Sequence, residues 1–369
     1  MPVRRKNFLI TLLRLFPLHT RRLLIILLMF CVLPPVAHAQ QSSALYDVFF
    51  DPVEQDLYFV DASTGLSSVS HVEGSQHLLL STGVLFQEKG TGFARLVAPR
   101  SSTVLTWMQP ATADTTVQWI TSPDRKTLVW AVIQNSGGRL NTELHVGQIN
   151  GSDAKIVKRI DSTEGRAAYP LAITNDAQVL FYTLQPPPSP ITYLVFPVAA
   201  DVYRLDIASG QDAQLPDEPN CACPAGFSED GQFYARFERD SDGSGFAVRL
   251  WSLPNEADTL IPVISDLLHT QAGDVLISDD GNRIVYASAR GISAGRSERY
   301  AIILADRQRN TQSLLTEALT DGLRPLSFTP DGNSVILVGL AKGGTYKLNL
   351  ASRTMLQVSA YNFLGQLAN

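Results

Sequence analysis

Short apolar runs recur along the chain, and each begins shortly after a polar turn. Five of these turns share one pattern: Ser or Thr, any residue, Asp, and often Gly. Ser, Asp and Gly favour tight turns, and the following runs, such as 128–133 and 179–184, are rich in residues typical of buried strands. We therefore predict one turn and one strand in each of five repeats, spaced 50 to 54 residues apart by their aspartates: Asp124, Asp176, Asp230, Asp280 and Asp331.

Each repeat contains further strand patterns, such as 202–210 and 345–353. Four antiparallel strands in about 50 residues are typical of one blade of a β-propeller. We predict an all-β propeller with seven four-stranded blades, with six or eight as alternatives. Residues 110–360 contain the five clear repeats, 45–108 form divergent blades, and 361–369 are a candidate strand that closes the ring.

The Ser-Pro-Asp-Gly type of turn followed by a strand resembles the WD40-like repeats of TolB-type β-propellers. The same repeat also resembles the propeller part of prolyl-oligopeptidase-type enzymes. The resemblance implies a propeller without specifying an activity, because propellers carry many unrelated functions. It departs from TolB in one respect: the sequence before the repeats shows no pattern of the small α/β domain that precedes the TolB propeller.

The N-terminal segment 1–39 differs from the rest of the chain. It carries six basic residues and no acidic one, then an apolar run at 23–33 and small residues ending at Ala39. This order is typical of a secretory signal peptide, so we predict cleavage before Gln40 and an extracytoplasmic, secreted or periplasmic protein. The alternative is an uncleaved N-terminal membrane anchor. Residues 40–369 are then a single propeller domain.

Charge limits the classes of partner. The chain has 30 basic and 35 acidic residues, and six of the basic ones lie in the signal segment, so residues 40–369 have a net charge of −11. No basic stripe is present, which argues against nucleic acid as a partner. We expect a monomer, with membrane association only if the N-terminal segment is retained.

Candidate catalytic and metal-binding motifs are few. The run 291–295 matches the G-x-S-x-G turn of hydrolases, but a second strand pattern follows it where that motif needs a helix. The acidic run 240–245 has the start of a calcium loop without its remaining ligands. We therefore predict no catalytic residue, no metal site and no cofactor, and we interpret the five turn aspartates as structural.

Two features point to the loops opposite the repeat turns. Cys221 and Cys223 are the only cysteines after the signal segment, and the alternatives for them are a strained local disulfide, two free thiols, or a redox or metal-binding role. The Pro-rich insertion 185–200 either folds over its own blade or presents an interface. Its candidate interface residues are Pro187, Tyr193, Leu194 and Phe196.

The leading functional hypothesis is a non-catalytic, TolB-like scaffold that binds a protein, peptide or glycan. The partner would contact one loop face, because function tends to lie on variable loops held by a rigid scaffold. The alternative is an extracytoplasmic hydrolase or lyase with its site at the propeller channel, which convergent carboxylates and histidines there would favour. The predicted loop face carries 185–200, 217–226, 240–245 and 291–295.

Overall fold

The computed structural model shows seven four-stranded antiparallel sheets. Each sheet is one blade, and its strands are named A to D from the axis outward. This confirms the predicted all-β propeller and its seven blades. The residues that the structure describes are 45–185, 195–196, 199, 201–216, 224–239, 245–255, 257–264, 269–293, 296–340 and 342–368.

The first half of the described chain forms strands B to D of blade 1 and all of blades 2, 3 and 4. Each blade follows chain order from its inner to its outer strand. These strands are β1 (Leu45–Asp51), β2 (Asp56–Asp61), β3 (Ser67–His71), β4 (Gly74–Leu80), β5 (Gly83–Glu88), β6 (Ala94–Ala98), β7 (Ser101–Val104), β8 (Thr115–Thr121), β9 (Thr127–Ser136), β10 (Arg139–Gln148), β11 (Lys155–Ser162), β12 (Ala167–Ile173), β13 (Val179–Gln185), β14 (Val202–Asp206) and β15 (Asp212–Gln214).

The second half forms blades 5, 6 and 7, and its last strand is strand A of blade 1. These strands are β16 (Gly226–Phe227), β17 (Phe233–Arg239), β18 (Phe246–Ser252), β19 (Ala257–Ile261), β20 (Gln271–Ile277), β21 (Arg283–Ser293), β22 (Arg296–Asp306), β23 (Thr311–Leu319), β24 (Leu323–Phe328), β25 (Ser334–Gly339), β26 (Thr345–Asn349), β27 (Met355–Ser359) and β28 (Asn362–Ala368).

The A strands surround the axis of the ring. Neighbouring A strands contact one another, as β4 does with β8, β8 with β12, and β20 with β24. Because strands alternate in direction, the A–B and C–D turns lie on one face, here called the A–B face. The B–C loops and the connections between blades lie on the opposite face, here called the B–C face.

Strand β9 shows why the B strands are continuous apolar runs. Its alternate residues Val129, Ala131 and Ile133 pack in a core cluster shared with blade 4. The intervening residues Leu128 and Trp130 pack in a cluster shared with blade 2. A strand buried on both faces is apolar at every position, so the core of this protein lies between blades.

The B strands of four successive blades each carry an aromatic residue, and these residues lie 52 positions apart in the sequence. Trp130, Tyr182, Tyr234 and Tyr286 are all buried. A buried tyrosine needs a hydrogen-bond partner for its hydroxyl group. The hydroxyl groups of these three tyrosines point outward along the blades. The hydroxyls donate to the Asp212 carboxylate, to the Pro216 carbonyl at 3.2 Å and to the Gln312 amide oxygen at 2.6 Å. The repeat therefore joins inner and outer strands.

The last strand closes the ring. Strand β28 pairs antiparallel with β1, and the register runs from Leu45 opposite Ala368 to Phe50 opposite Asn362. Leu367 is buried at 2% exposure in the cluster between blades 1 and 2. Blade 1 thus takes its innermost strand from the end of the chain, which pairs the edge of β1 that would otherwise be exposed.

Removing residues 361–369 tests this closure. We expect a loss of about 3 kcal/mol or more in the free energy of unfolding, because the inner edge of β1 and the Leu367 site would be exposed together. Urea unfolding of this truncated chain should be compared with that of a chain lacking only Asn369. Equal unfolding midpoints for the two chains would contradict the stabilising role of β28.

Candidate binding site at the mouth of the central channel

The repeat turns join strands A and B, so they encircle the channel on the A–B face. In the turn of blade 3, the Ser122 hydroxyl donates to the Asp124 carboxylate at 2.6 Å and accepts the Thr127 N–H at 3.0 Å. The Asp124 carboxylate also accepts the Lys126 N–H at 3.2 Å. The same Ser/Thr-to-Asp bond, at 2.6 Å each time, occurs at Asp176, Asp230, Asp280 and Asp331.

The residue after each turn aspartate has a positive φ. Glycine occupies this position in blades 5, 6 and 7, whereas Arg125 (φ 61°) and Ala177 (φ 53°) occupy it in blades 3 and 4. A side chain in the left-handed region is uncommon, so Arg125 marks a place where the fold tolerates local strain. The turn in blade 3 therefore carries a long cation at the rim of the channel.

Arg125 connects three blades. Its carbonyl accepts the Ser81 N–H of blade 2 at 3.0 Å, and its Nη1 donates to the Gln366 carbonyl of β28 at 2.8 Å. Gly365 has a φ of 133°, and a Cβ added there would lie 2.5 Å from Arg125 Nη2. The guanidinium thus lies against the strand that closes the ring. Burial lowers the pKa of Arg125, and the charge of Glu229 opposes this shift.

The second residue of each turn also varies between blades. Asn175 of blade 4 accepts the Asp124 N–H through its side-chain oxygen at 2.8 Å, which links two neighbouring turns. Blades 5 and 6 carry Glu229 and Asp279 at this position. Glu229 is exposed to solvent, but its partial burial raises the pKa of its carboxyl. The charge of Asp279 raises this pKa further, and the charge of Arg125 opposes the shift. The mouth therefore places two carboxylates on one side and a guanidinium on the other.

Further inside, bulges in the A strands place polar residues on the channel wall. Gln76 (φ 58°) donates through Nε2 to the Val117 carbonyl of the next blade at 2.7 Å. Asp274 (φ 49°) lies at the corresponding bulge of blade 6. Burial raises the pKa of Asp274, and the charge of Arg324 on the neighbouring A strand opposes the shift. The wall thus carries a half-buried carboxyl within the field of a guanidinium.

The insertion of blade 4 reaches the opposite end of the channel. The Val195 N–H donates to the Gln271 side chain of blade 6 at 2.9 Å. Phe196 is only 4% exposed, and its ring lies over Gly273, the residue before Asp274. Arg236 of blade 5 donates to the carbonyl of Ala199. Val195 and Phe196 therefore contact blade 6, whereas Ala199 contacts blade 5 and also packs with residues of blade 4.

This placement differs from the interface role that the sequence predicts for Phe196. The side chain belongs to the core cluster between blades 6 and 7 because Gly273 leaves space for an aromatic ring there. The other predicted interface residues and both cysteines lie outside the described residues: Pro187, Tyr193, Leu194, Cys221 and Cys223. The same holds for 240–244 of the acidic run, and only parts of the predicted loop face are described.

The first three residues of the G-x-S-x-G match, 291–293, lie at the end of a strand, and 294–295 lie outside the described residues. Strand β21 ends at Ser293, which pairs with Arg296 at the start of β22. A nucleophile elbow instead needs a helix after the serine. One strand ends at Ser293 and the next begins at Arg296, so this stretch does not match the strand–turn–helix arrangement of a nucleophile elbow.

The four histidines that follow residue 39 lie away from the repeat turns. His71 contacts Asp56 at 2.9 Å on the outer strands of blade 1, and His77 stacks on a phenylalanine ring at 4.0 Å. His145 stacks on Trp130 at 4.9 Å. His269 is buried 2.7 Å from the Ser288 hydroxyl, and burial together with the charge of Arg290 lowers its pKa to about 4. Each histidine thus contributes to packing between strands.

Within the described ranges, no group of three His, Cys, Asp or Glu side chains is arranged to hold a metal ion. The same part of the chain contains no helix that is long and apolar enough to cross a membrane.

Comparisons with known proteins show similarity of structure. No family model matches the chain, and no curated protein matches it in sequence. TolB from Acinetobacter baumannii is 12% identical, with 88% of this chain and 66% of that chain covered and a TM-score of 0.46. An oligogalacturonate lyase from Vibrio parahaemolyticus is 9% identical, with 84% of this chain and 92% of that chain covered and a TM-score of 0.58.

A third similar structure is the acylaminoacyl peptidase of Pyrococcus horikoshii. It is 9% identical, with 82% of this chain and 48% of that chain covered and a TM-score of 0.50. The chain thus spans about half the length of this peptidase and just under two thirds of TolB. Identities this low show the propeller fold alone. At that level, the resemblance to TolB-type propellers is confirmed.

The turn aspartates predict a stability change in acid. Hydrogen bonds, first from the Thr329 hydroxyl and then from the Asn333 N–H, lower the pKa of Asp331 from 3.8 to about 2. A depressed folded-state pKa gives stability that is fully present above pH 4 and lost as the pH falls toward 2. We expect Asp331→Asn, which keeps an acceptor oxygen but does not titrate, to lose less stability between about pH 4 and pH 2 than the unchanged chain.

Urea unfolding midpoints at several pH values across this interval measure the difference. The matched control is Asp153→Asn, the same change at an exposed aspartate in the C–D turn of blade 3. Identical acid profiles for Asp331→Asn and the unchanged chain would contradict the assignment.

The contact between Gly365 and Arg125 makes a second prediction. Gly365→Ala should lower the free energy of unfolding by about 1–3 kcal/mol, because its φ disfavours a side chain and the new Cβ would displace the guanidinium. Gly210→Ala is the control, since Gly210 also has a positive φ but a Cβ there meets nothing within 4 Å. Chemical denaturation should show a larger loss in the free energy of unfolding for Gly365→Ala than for Gly210→Ala. Equal costs would show that the Arg125 contact adds nothing.

Proposed function

We propose that the chain is a non-catalytic binding module of TolB-like type that acts outside the cytoplasm and receives a cationic protein or peptide element at the A–B mouth of its channel. The observation that carries the proposal is the convergence of Arg125, Glu229 and Asp279 from three different blades. The location rests on the signal-type segment 1–39.

The mouth suits a cation because the negative charge of Asp279 disfavours the ionised state of Glu229. The charge of Asp279 raises the pKa of Glu229, so a lysine, an arginine or an amino terminus bound between them would relieve this repulsion. Arg125 on the other side supplies donors for a carbonyl or carboxylate of the same ligand. A peptide segment carries both kinds of group, which favours a peptide over a simple cation.

The A–B mouth is preferred over the B–C loop face for a structural reason. Val195 and Phe196, the residues of the insertion that contact the channel wall, turn toward blade 6 and fill space there. A partner on the loops 217–226, 240–245 and 291–295 stays a prediction from the sequence.

The second candidate is an extracytoplasmic hydrolase or lyase that acts on glycans or peptides at the channel. The observation in its favour is the pair Glu229 and Asp279, because a carboxyl whose pKa is raised next to a second acidic residue is a common feature of acid–base sites. One of the similar propellers is an oligogalacturonate lyase, which shows that this fold can hold such an activity.

The experiment measures binding of the purified chain to an array of short synthetic peptides that vary in net charge and in the position of lysine and arginine. We expect cationic peptides to be retained, and Glu229→Gln to weaken their binding about tenfold, as for the loss of a charged partner. Binding should also weaken as the pH falls toward the pKa of Glu229, because the neutral carboxyl attracts no cation.

Glu54→Gln is the matched control, since it removes the same charge from an exposed residue of a B–C loop. Equal losses in the two variants would show that general charge, rather than the mouth, attracts the peptides. Cleavage of the peptides, or of an oligosaccharide panel incubated in parallel, that Glu229→Gln abolishes would replace the binding proposal with the enzymatic one.

A further inference from the structure

A second concave site lies between blades 2 and 3, and its lining includes Ser81 and Lys126, which neighbour Arg125 of the channel mouth but are not among the residues proposed to bind there. It is a cavity of about 590 Å³, within the size range of sites for small ligands. Its lining comes from the A–B turn and the two outer strands of blade 2, the segment that follows them, and two turns of blade 3. Among the described residues that line it, none is acidic, although the chain has more acidic than basic residues.

Trp107 forms the aromatic wall of this cavity and is held in place. A Cβ added to Gly151 would lie 2.8 Å from Cδ2 and 2.9 Å from Cγ and Cε2 of the indole, so the Gly151 turn covers one ring face. The edge of the indole packs on Trp130 with ring centroids 5.4 Å apart. Because Trp107 also lines the cavity, its remaining surface faces that space as a rigid platform. A fixed aromatic ring loses little conformational freedom when a ligand binds.

Polar side chains surround the platform. Thr103, Thr106, Gln148 and Asn150 are exposed, and all four line the cavity. They offer hydroxyl and amide groups that can both donate and accept hydrogen bonds. Lys126 adds an ammonium group that lies 3.6 Å from the Asp124 carboxylate, so its charge is partly balanced. Apolar atoms at the base come from residues such as Leu96 and Ile149.

We propose that this cavity binds a hexose unit of a glycan. A sugar ring has an apolar face of C–H groups that fits an indole surface and an equatorial belt of hydroxyls that needs both donors and acceptors. A purely apolar ligand would leave the threonine and amide groups without partners. This proposal does not depend on the function proposed for the channel mouth, because the two sites use different residues.

The test uses three probes: the neutral sugars cellotriose and the trisaccharide of N-acetylglucosamine, and the anionic trimer of mannuronic acid. Saturation-transfer NMR detects contact, and calorimetric titration measures affinity. We expect at least one probe to bind with a Kd on the order of 1 mM, which is typical of a single small site. Trp107→Ala should abolish this binding, and Trp107→Phe should retain part of it.

Thr103→Val provides a variant that keeps the shape of the side chain. It removes one hydroxyl from an exposed strand position, so we expect unchanged melting and binding weakened by about two- to tenfold. Trp251→Phe is the control for tryptophan loss, since Trp251 stacks on Tyr234 in blade 5. It should leave the affinity unchanged.

Three results would overturn the proposal. One is the absence of saturable binding of all three sugars at about ten times the expected Kd. Another is equal affinity in the unchanged chain, Trp107→Ala and Thr103→Val. The third is binding of a proline-rich peptide that Trp107→Ala abolishes while no sugar binds, because this would identify a peptide site instead. If Trp107→Ala fails to fold, Thr103→Val and Trp107→Phe decide the matter.

Discussion

The pairing of β28 with β1 is the constraint on which the rest of the structure depends. Each blade packs its two faces mainly against its neighbours, so these faces are all covered only when the last strand completes blade 1. In this chain the two strands that complete it lie at opposite ends of the propeller sequence. The contact is therefore the most non-local one in the fold, and every interface between blades benefits from it.

The same closure organises the chemistry at the axis. Arg125 bonds to the carbonyl of Gln366 on the closing strand, and its own carbonyl binds the turn of blade 2. The turns are rigid because a Ser or Thr hydroxyl, an aspartate and the backbone satisfy one another. Only the second residue of each turn is free of these bonds. A ring of such turns can thus present different side chains, among them Glu229 and Asp279, on a common backbone.

Much of the fold could be predicted from the sequence, because its signals are local. The repeated Ser/Thr-x-Asp pattern indicates the A–B turns, and the apolar runs indicate the strands that are buried on both faces. The 52-residue step from Trp130 to Tyr182, Tyr234 and Tyr286 is an equally local signal, and it could have been found by aligning the repeats on their strands. The candidate site was harder to predict. Glu229 and Asp279 are single variable positions about 50 residues apart, and only the ring brings them together with Arg125.

The destination of the insertion could not be predicted at all. Nothing in the local pattern around Phe196 indicates that its ring packs over Gly273 of a blade that is not adjacent in sequence. The Phe196 ring fits there because Gly273 leaves room on the wall of blade 6. A sequence pattern does not show that two distant residues have complementary shapes. The Trp107 cavity is similar, since it forms only where two blades meet.

The balance of charge along the channel bears on selectivity. Glu229 and Asp279 at the mouth act with Arg125, and Asp274 on the wall lies within the field of Arg324. The chain as a whole is acidic, yet carboxylates at the axis have guanidinium groups from other blades near them. A polyanion would meet the carboxylates without compensation, and a compact polycation would meet the guanidinium groups. Under the proposed function, a ligand that carries both kinds of group, as a peptide does, would avoid either penalty.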